Sequence, residues 1–118
     1  MTLIANVLIG LIALLHTYFL VLEMFLWDKP YGLKIFRLEQ AFATASKALA
    51  ANQGLYNGFL AAGLAWGLYL GTAGFSIKIF FLSCIIIAGV FGAATVGKKI
   101  LFIQALPAVV ALGLLLAS

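Results

Sequence analysis

The sequence predicts an all-α protein, a bundle of four transmembrane helices with both termini on the non-cytoplasmic side, and three observations predict it. First, 66% of its 118 residues are hydrophobic and only 8% charged, with a mean hydropathy of +1.24, a composition far from that of soluble globular domains. Second, the apolar residues gather into four runs, each close to the roughly 20 residues that cross a hydrocarbon core as a helix. Lipid has no partner for exposed backbone polar groups, so such runs must be helical. Third, six basic residues (Lys29, Lys34, Arg37, Lys47, Lys98 and Lys99) fall on one side of a four-span layout and Lys78 alone on the other. The positive-inside rule then places the six in the cytoplasm and both ends of the chain outside it. Four spans with short connections fill residues 1–118 as a single integral membrane domain with no soluble domain beside it.

The first span runs from about Leu3 to Trp27. It lacks the basic leading region and small-residue cleavage site of a secretory signal and is too long for a signal core, so it is expected to stay as a span. Pro30 and Gly32 end it. Residues 28–48 form the one long connection, whose apolar spacing at Leu33, Phe36, Phe42 and Leu49 fits both a surface-lying helix and a cytoplasmic extension of the second span. That second span covers Leu49 to Leu70, and "GTAGFS" links it to a third from Ile77 to Val96. "GKK" turns the chain tightly into a fourth, Ile100 to Ala117. Small residues recur every four positions at Gly54, Gly58 and Ala62, at Gly63, Gly67 and Gly71, and at Gly89, Ala93 and Gly97, ridges that let helix backbones approach closely. Packing within the chain is the first reading of these ridges and oligomer contacts the second.

The charge of +4 is spread over membrane loops and makes no nucleic-acid patch. Cys84 is the one cysteine; it sits in an apolar run and reads as core filler, so no disulfide or metal set is implied. Catalytic signatures such as G-x-S-x-G, H-E-x-x-H, the P-loop and the Rossmann fingerprint do not occur. Trp27, Tyr31, Trp66 and Tyr69 fall near span ends, as interfacial aromatic residues do.

The polar residues inside the spans are the functional candidates. At about 1.5 Å of rise per residue, Glu23 lies roughly 6 Å in from the cytoplasmic end of its helix, Gln53 and Gln104 roughly 7 Å, Asn57 roughly 13 Å and His16 roughly 16 Å. Asn52 and Gln53 with Tyr56 and Asn57 make i,i+3 and i,i+4 neighbours, one polar flank of the second span. His16 and Glu23, seven residues apart, point the same way. These depths predict a cytoplasm-facing pocket lined by Glu23, Asn52, Gln53, Asn57, Gln104 and His16 that binds a small amphipathic or lipid-like ligand. Each residue also has a plainer role. Glu23 could pair with Lys29 or Lys47, His16 could be a bonded core residue, and the amides could be interhelical contacts of roughly 0.6 kcal/mol each. Gln104 could satisfy the carbonyl that Pro107 frees. A proton-coupled exporter using Glu23, as an intramembrane acid can, is the alternative from another class. Lipid-directed catalysis by Glu23 and His16 would need a substrate bridging about 10 Å of helix rise.

The segments "HTYFLVLEMFLW", "AANQGLYNGFLAAGLAWG" and "IQALPAVVAL" resemble the small bacterial membrane proteins grouped as domain of unknown function 1304, across nearly the whole chain. That resemblance implies a location in the bacterial inner membrane and carries no activity. More distantly, the plan is similar to the membrane-associated proteins in eicosanoid and glutathione metabolism, through Asn52 at the start of the second span, Phe59 and Leu60 after it, and Gln104 with Pro107 in the fourth. This second resemblance implies a homotrimer, glutathione as a possible cofactor and a glutathione-dependent transferase activity. The Arg and Glu that flank the asparagine in that superfamily's pattern are replaced here by Ala48 and Leu55, and Gln104 stands one residue out of register.

Overall fold

A computed structural model describes residues 2–118, and among them every regular element is helical. In chain order these are α1 (Thr2–Phe25), α2 (Pro30–Phe36), α3 (Gln40–Tyr69), a 3₁₀ turn (Gly71–Gly74), α4 (Phe75–Thr95), a π-helical stretch (Leu101–Ala105) and α5 (Leu106–Leu116). Two helical segments are long and apolar enough to cross a membrane, Thr2–Phe25 and Gly71–Thr95, while Leu101–Leu116 is apolar but shorter.

The long connection resolves into a short helix followed by the beginning of a long one that continues into the second apolar run. Pro30 occupies the first turn of the seven-residue α2, where its missing N–H costs nothing, and Arg37 ends that helix in the left-handed conformation, φ 55°. From Gln40 the chain is helical without a break for 30 residues, so α3 begins nine residues ahead of the Leu49 boundary. The π-helical stretch falls just before Pro107. Proline has no N–H for the carbonyl four residues back and its ring collides with that carbonyl, and one wide turn ahead of it relieves both problems.

The chain divides into two compact units, Leu14–Ala61 and Met1–Ala13 with Ala62–Ser118. Within the Leu14–Ala61 unit, Gly54 and Gly58 seat α3 against α1: a Cβ at Gly54 would lie 2.6 Å from Met24 Cγ and 3.2 Å from the Leu20 carbonyl oxygen, and one at Gly58 would lie 2.6 Å from Leu20 Cδ1. The corner after α1 is fastened by side chains. The Trp27 ring lies 4.9 Å from that of Phe36, Trp27 Nε1 donates to Ser46 Oγ at 3.0 Å, and Lys47 Nζ reaches Asp28 Oδ2 at 3.2 Å. Lys47 thereby holds the Asp28 carboxyl below the usual aspartate pKa of 3.8.

In the other unit α4 packs on the π-helical stretch and α5. Gly89 makes that approach possible, because a Cβ there would come within 2.8 Å of the Ala105 backbone nitrogen. Gly63 faces the Phe81 ring, Gly67 lies beneath the Lys78 stem, and Gly74 presses on the Gly67 carbonyl. Five glycines of the predicted ridges (Gly54, Gly58, Gly63, Gly67 and Gly89) thus meet neighbours inside the chain, while Gly71 and Gly97 meet none. The core is small and aliphatic, with Ile9, Leu64, Leu82, Ile85 and Leu115 almost fully buried, whereas Phe80, Ile87, Phe91 and Phe102 stand exposed on the outside. Large apolar side chains turned outward are the reverse of a soluble surface.

Candidate functional site: a carboxyl–amide pair

Glu23 comes two residues before the end of α1, on a helix with no other acid. Two turns of α3 are pared down by Gly54 and Gly58, which brings Asn57 up to it: Asn57 Nδ2 donates to Glu23 Oε1 at 2.6 Å. Asn57 is buried, with 4% of its surface exposed, and Glu23 is half-buried. A short amide-to-carboxyl bond in an apolar surround satisfies one carboxyl oxygen without supplying a counter-charge. The second oxygen is left to accept a proton donor from elsewhere.

Five of the six expected residues lie in the Leu14–Ala61 unit and Gln104 in the other. Glu23 and Asn57 meet directly. His16 shares the Leu14–Ala61 unit and is completely buried, edge-on to the Phe19 ring at 5.3 Å, two turns ahead of Glu23 on α1. Asn52 and Gln53 are exposed, and Asn52 Nδ2 donates to the Tyr56 hydroxyl at 3.2 Å. The polar flank read from the sequence therefore splits, with Asn57 inside and its neighbours outside. Gln104 is half-buried in the π-helical stretch, within the other unit.

A second buried polar group escaped the sequence reading, which counted Lys78, at the start of the third span, only as a topology signal. It lies in the first turn of α4, with only 3% of its surface exposed. Its stem covers Gly67, and Nζ donates to Asn6 Oδ1 at 3.0 Å and to the Gly71 carbonyl at 3.5 Å. The bonds tie the beginning of α1 to the turn ahead of α4. Two signals pointed there: Lys78 is flanked by isoleucines in "FSIKIFF", and Asn6 is an amide inside the first apolar run. Asp28 is likewise engaged by Lys47, which leaves Glu23 to Asn57 instead of to a lysine.

Comparison with known proteins places these residues in a wider group. The sequence matches the profile described as "Protein of unknown function (DUF1304)" over residues 10–116. This chain belongs to the DUF1304 family. It is 31% identical over 114 residues to the uncharacterized protein YpaA of Lactococcus lactis subsp. lactis (strain IL1403), an alignment covering 95% of this chain and 96% of that one. No solved structure matches it. The DUF1304 match takes in Glu23, Asn57, His16, Gln104 and Lys78, while Asn6 precedes it. The likeness to the eicosanoid and glutathione proteins gains no support from these comparisons, and DUF1304 carries no activity to transfer.

Proposed function

We propose that the protein is a multi-pass protein of the bacterial inner membrane, with four spans and both termini on the non-cytoplasmic side, that binds a small amphipathic ligand at Glu23 and Asn57. The observation that carries this reading is the 2.6 Å bond between Asn57 and a half-buried Glu23 at the end of an apolar, membrane-length helix. An acid in such a place is costly unless it is used. Asn57 fixes the carboxyl through Oε1, and Oε2 accepts from a donor on the ligand, a hydroxyl or an amine, while the ligand's apolar part lies along the helices. Asn52, Gln53 and Gln104 are candidates for the rim, and His16 for a deeper polar contact. The membrane reading is supported by two membrane-length helices and by the outward aromatic and aliphatic side chains. A homo-oligomer is supported only by that exposed apolar surface, since five of the seven ridge glycines meet neighbours inside the chain; a trimer and a glutathione-dependent transferase follow from resemblance alone.

Native mass spectrometry after gentle extraction tests the binding. The wild-type chain retains a small-molecule adduct, and Glu23→Gln and Asn57→Leu each lose it without unfolding; retention unchanged in both variants refutes the proposal. Topology is tested separately in a Cys84→Ser background. Ser118→Cys labels with an impermeant maleimide added outside the cell and Lys98→Cys does not, and the reverse pattern overturns the orientation.

The second reading is a proton-coupled exporter, favoured by the same half-buried acid, whose one hydrogen-bond partner among the described residues is an uncharged amide. In proteoliposomes it predicts transport that follows an imposed pH gradient and vanishes in Glu23→Gln.

A further inference from the structure

α2 has two unlike faces. Gly32 is buried against the Leu26 carbonyl and Phe36 stacks on Trp27, so this side of the helix closes the corner after α1. Tyr31, Lys34 and Ile35 share the opposite side at i, i+3 and i+4 spacing, and all three are exposed, as are Lys29 and Arg37 at the two ends. An outward surface that mixes a phenol, an isoleucine and cations is unsuited to water alone.

Where that surface lies is set by one bond. The Tyr31 hydroxyl meets the Tyr18 hydroxyl at 2.6 Å, and Tyr18 stands seven residues before the end of α1, about 10 Å back along the span. α2 therefore folds back beside α1 instead of projecting beyond it. Its outer face sits at the depth where a span gives way to headgroups, with phenols at the boundary and basic groups just beyond. The available charge is positive: Asp28 is taken by Lys47, and among the described residues no carboxylate reaches Lys34 or Arg37 in an ion pair. Glu39 comes after the left-handed turn at Arg37, on the way into α3.

From this geometry we infer that the outer face of α2 is a seat for anionic phospholipid headgroups, with Lys34 and Arg37 taking the phosphate charge and Tyr31 and Ile35 entering the acyl boundary. This rests on the membrane reading given above and is independent of any ligand at Glu23. Each basic residue near an anionic membrane surface strengthens attraction by a factor of about five, so losing two weakens it about thirtyfold.

The test reconstitutes the protein in bilayers of equal phosphatidylglycerol and phosphatidylcholine, extracts it gently, and counts retained lipids by native mass spectrometry. The wild type retains phosphatidylglycerol preferentially. Lys34→Gln with Arg37→Gln lowers that preference about thirtyfold, whereas Lys98→Gln with Lys99→Gln, an equal charge change elsewhere, leaves most of it. Raising salt from about 0.01 M to 1 M shortens the screening length from about 30 Å to 3 Å and erodes the wild-type preference, a measurement that needs no variant to fold. Equal retention of the two lipids by the wild type, an unchanged preference in the α2 variant, an equal loss in the control or insensitivity to salt each overturns the proposal. Alkaline carbonate extraction separates its failure from that of the membrane reading. Release of the wild type from membranes defeats both, while firm retention without lipid preference defeats this inference alone.

Discussion

Glu23 and Lys78 pose the same problem in two different units, and each is answered by an asparagine used in the opposite sense. Asn57 turns its amide nitrogen to the carboxyl, and Asn6 turns its amide oxygen to the lysine Nζ. The three acidic side chains, Glu23, Asp28 and Glu39, all fall in residues 14–61, so the unit that buries Lys78 holds no Asp or Glu to pair with it. A carboxamide suits both settings because it offers donors and acceptors together. The difference lies in depth: Glu23 keeps partial access to its surroundings and Lys78 almost none. The first arrangement can admit a ligand, and the second works as a fastening between the beginning of α1 and the turn before α4.

The largest effect expected from breaking this comparison comes from backbone contact. A Cβ at Gly74 would overlap the Gly67 carbonyl, whereas one at Gly58 would meet only the end of the Leu20 side chain. Gly74→Ala is expected to cost about 3 kcal/mol and Gly58→Ala less than about 1 kcal/mol, because a leucine tip can move and alanine favours the helix, both read from unfolding in detergent. Asn6→Leu follows at about 2 kcal/mol, the cost of leaving a buried polar head without its main partner; adding Lys78→Met should recover most of this, and an additive double variant would show that the two residues do not act as a pair. Asn57→Leu is expected to cost about 1 kcal/mol, less than Asn6→Leu because Glu23 can turn toward its more open side. The smallest effect belongs to Asp28. Its pKa is lowered in the folded state by Lys47, so its contribution is complete above the ordinary value and is lost as pH falls through the lower folded one. Asp28→Asn should remove that acidic dependence and leave stability at neutral pH nearly unchanged, since an ion pair whose lysine is exposed contributes little.

Much of the fold was legible because composition and run length act on every residue of a span. The apolar runs beginning at Leu3 and Ile77 correspond to the two membrane-length helices, and Pro30 and Pro107 mark the places where helix geometry changes. The four-residue glycine spacing foretold close helix approaches, several of which occur within the chain. Glu23 and Asn57 were legible as members of one polar group, although estimated depth set Glu23 level with Gln53 and Gln104 and put Asn57 roughly one turn deeper. What depth does not contain is the angle around the helix. Asn52 and Gln53 lie within about one and a half turns of Asn57 yet are exposed, and only the packing at Gly54 and Gly58 settles which amide faces inward. Lys78 was overlooked for a related reason: counting it as a topology signal says nothing of where its head group goes, although a stem lying over Gly67 carries that group to Asn6.

The most direct test of the central claim is an experimental density map of the protein in a lipid nanodisc, inspected around Glu23. The account predicts Asn57 Nδ2 within hydrogen-bonding distance of the carboxyl and a compact non-phospholipid density against its other oxygen. A carboxyl turned away from Asn57, with only acyl chains beside it, would contradict the account.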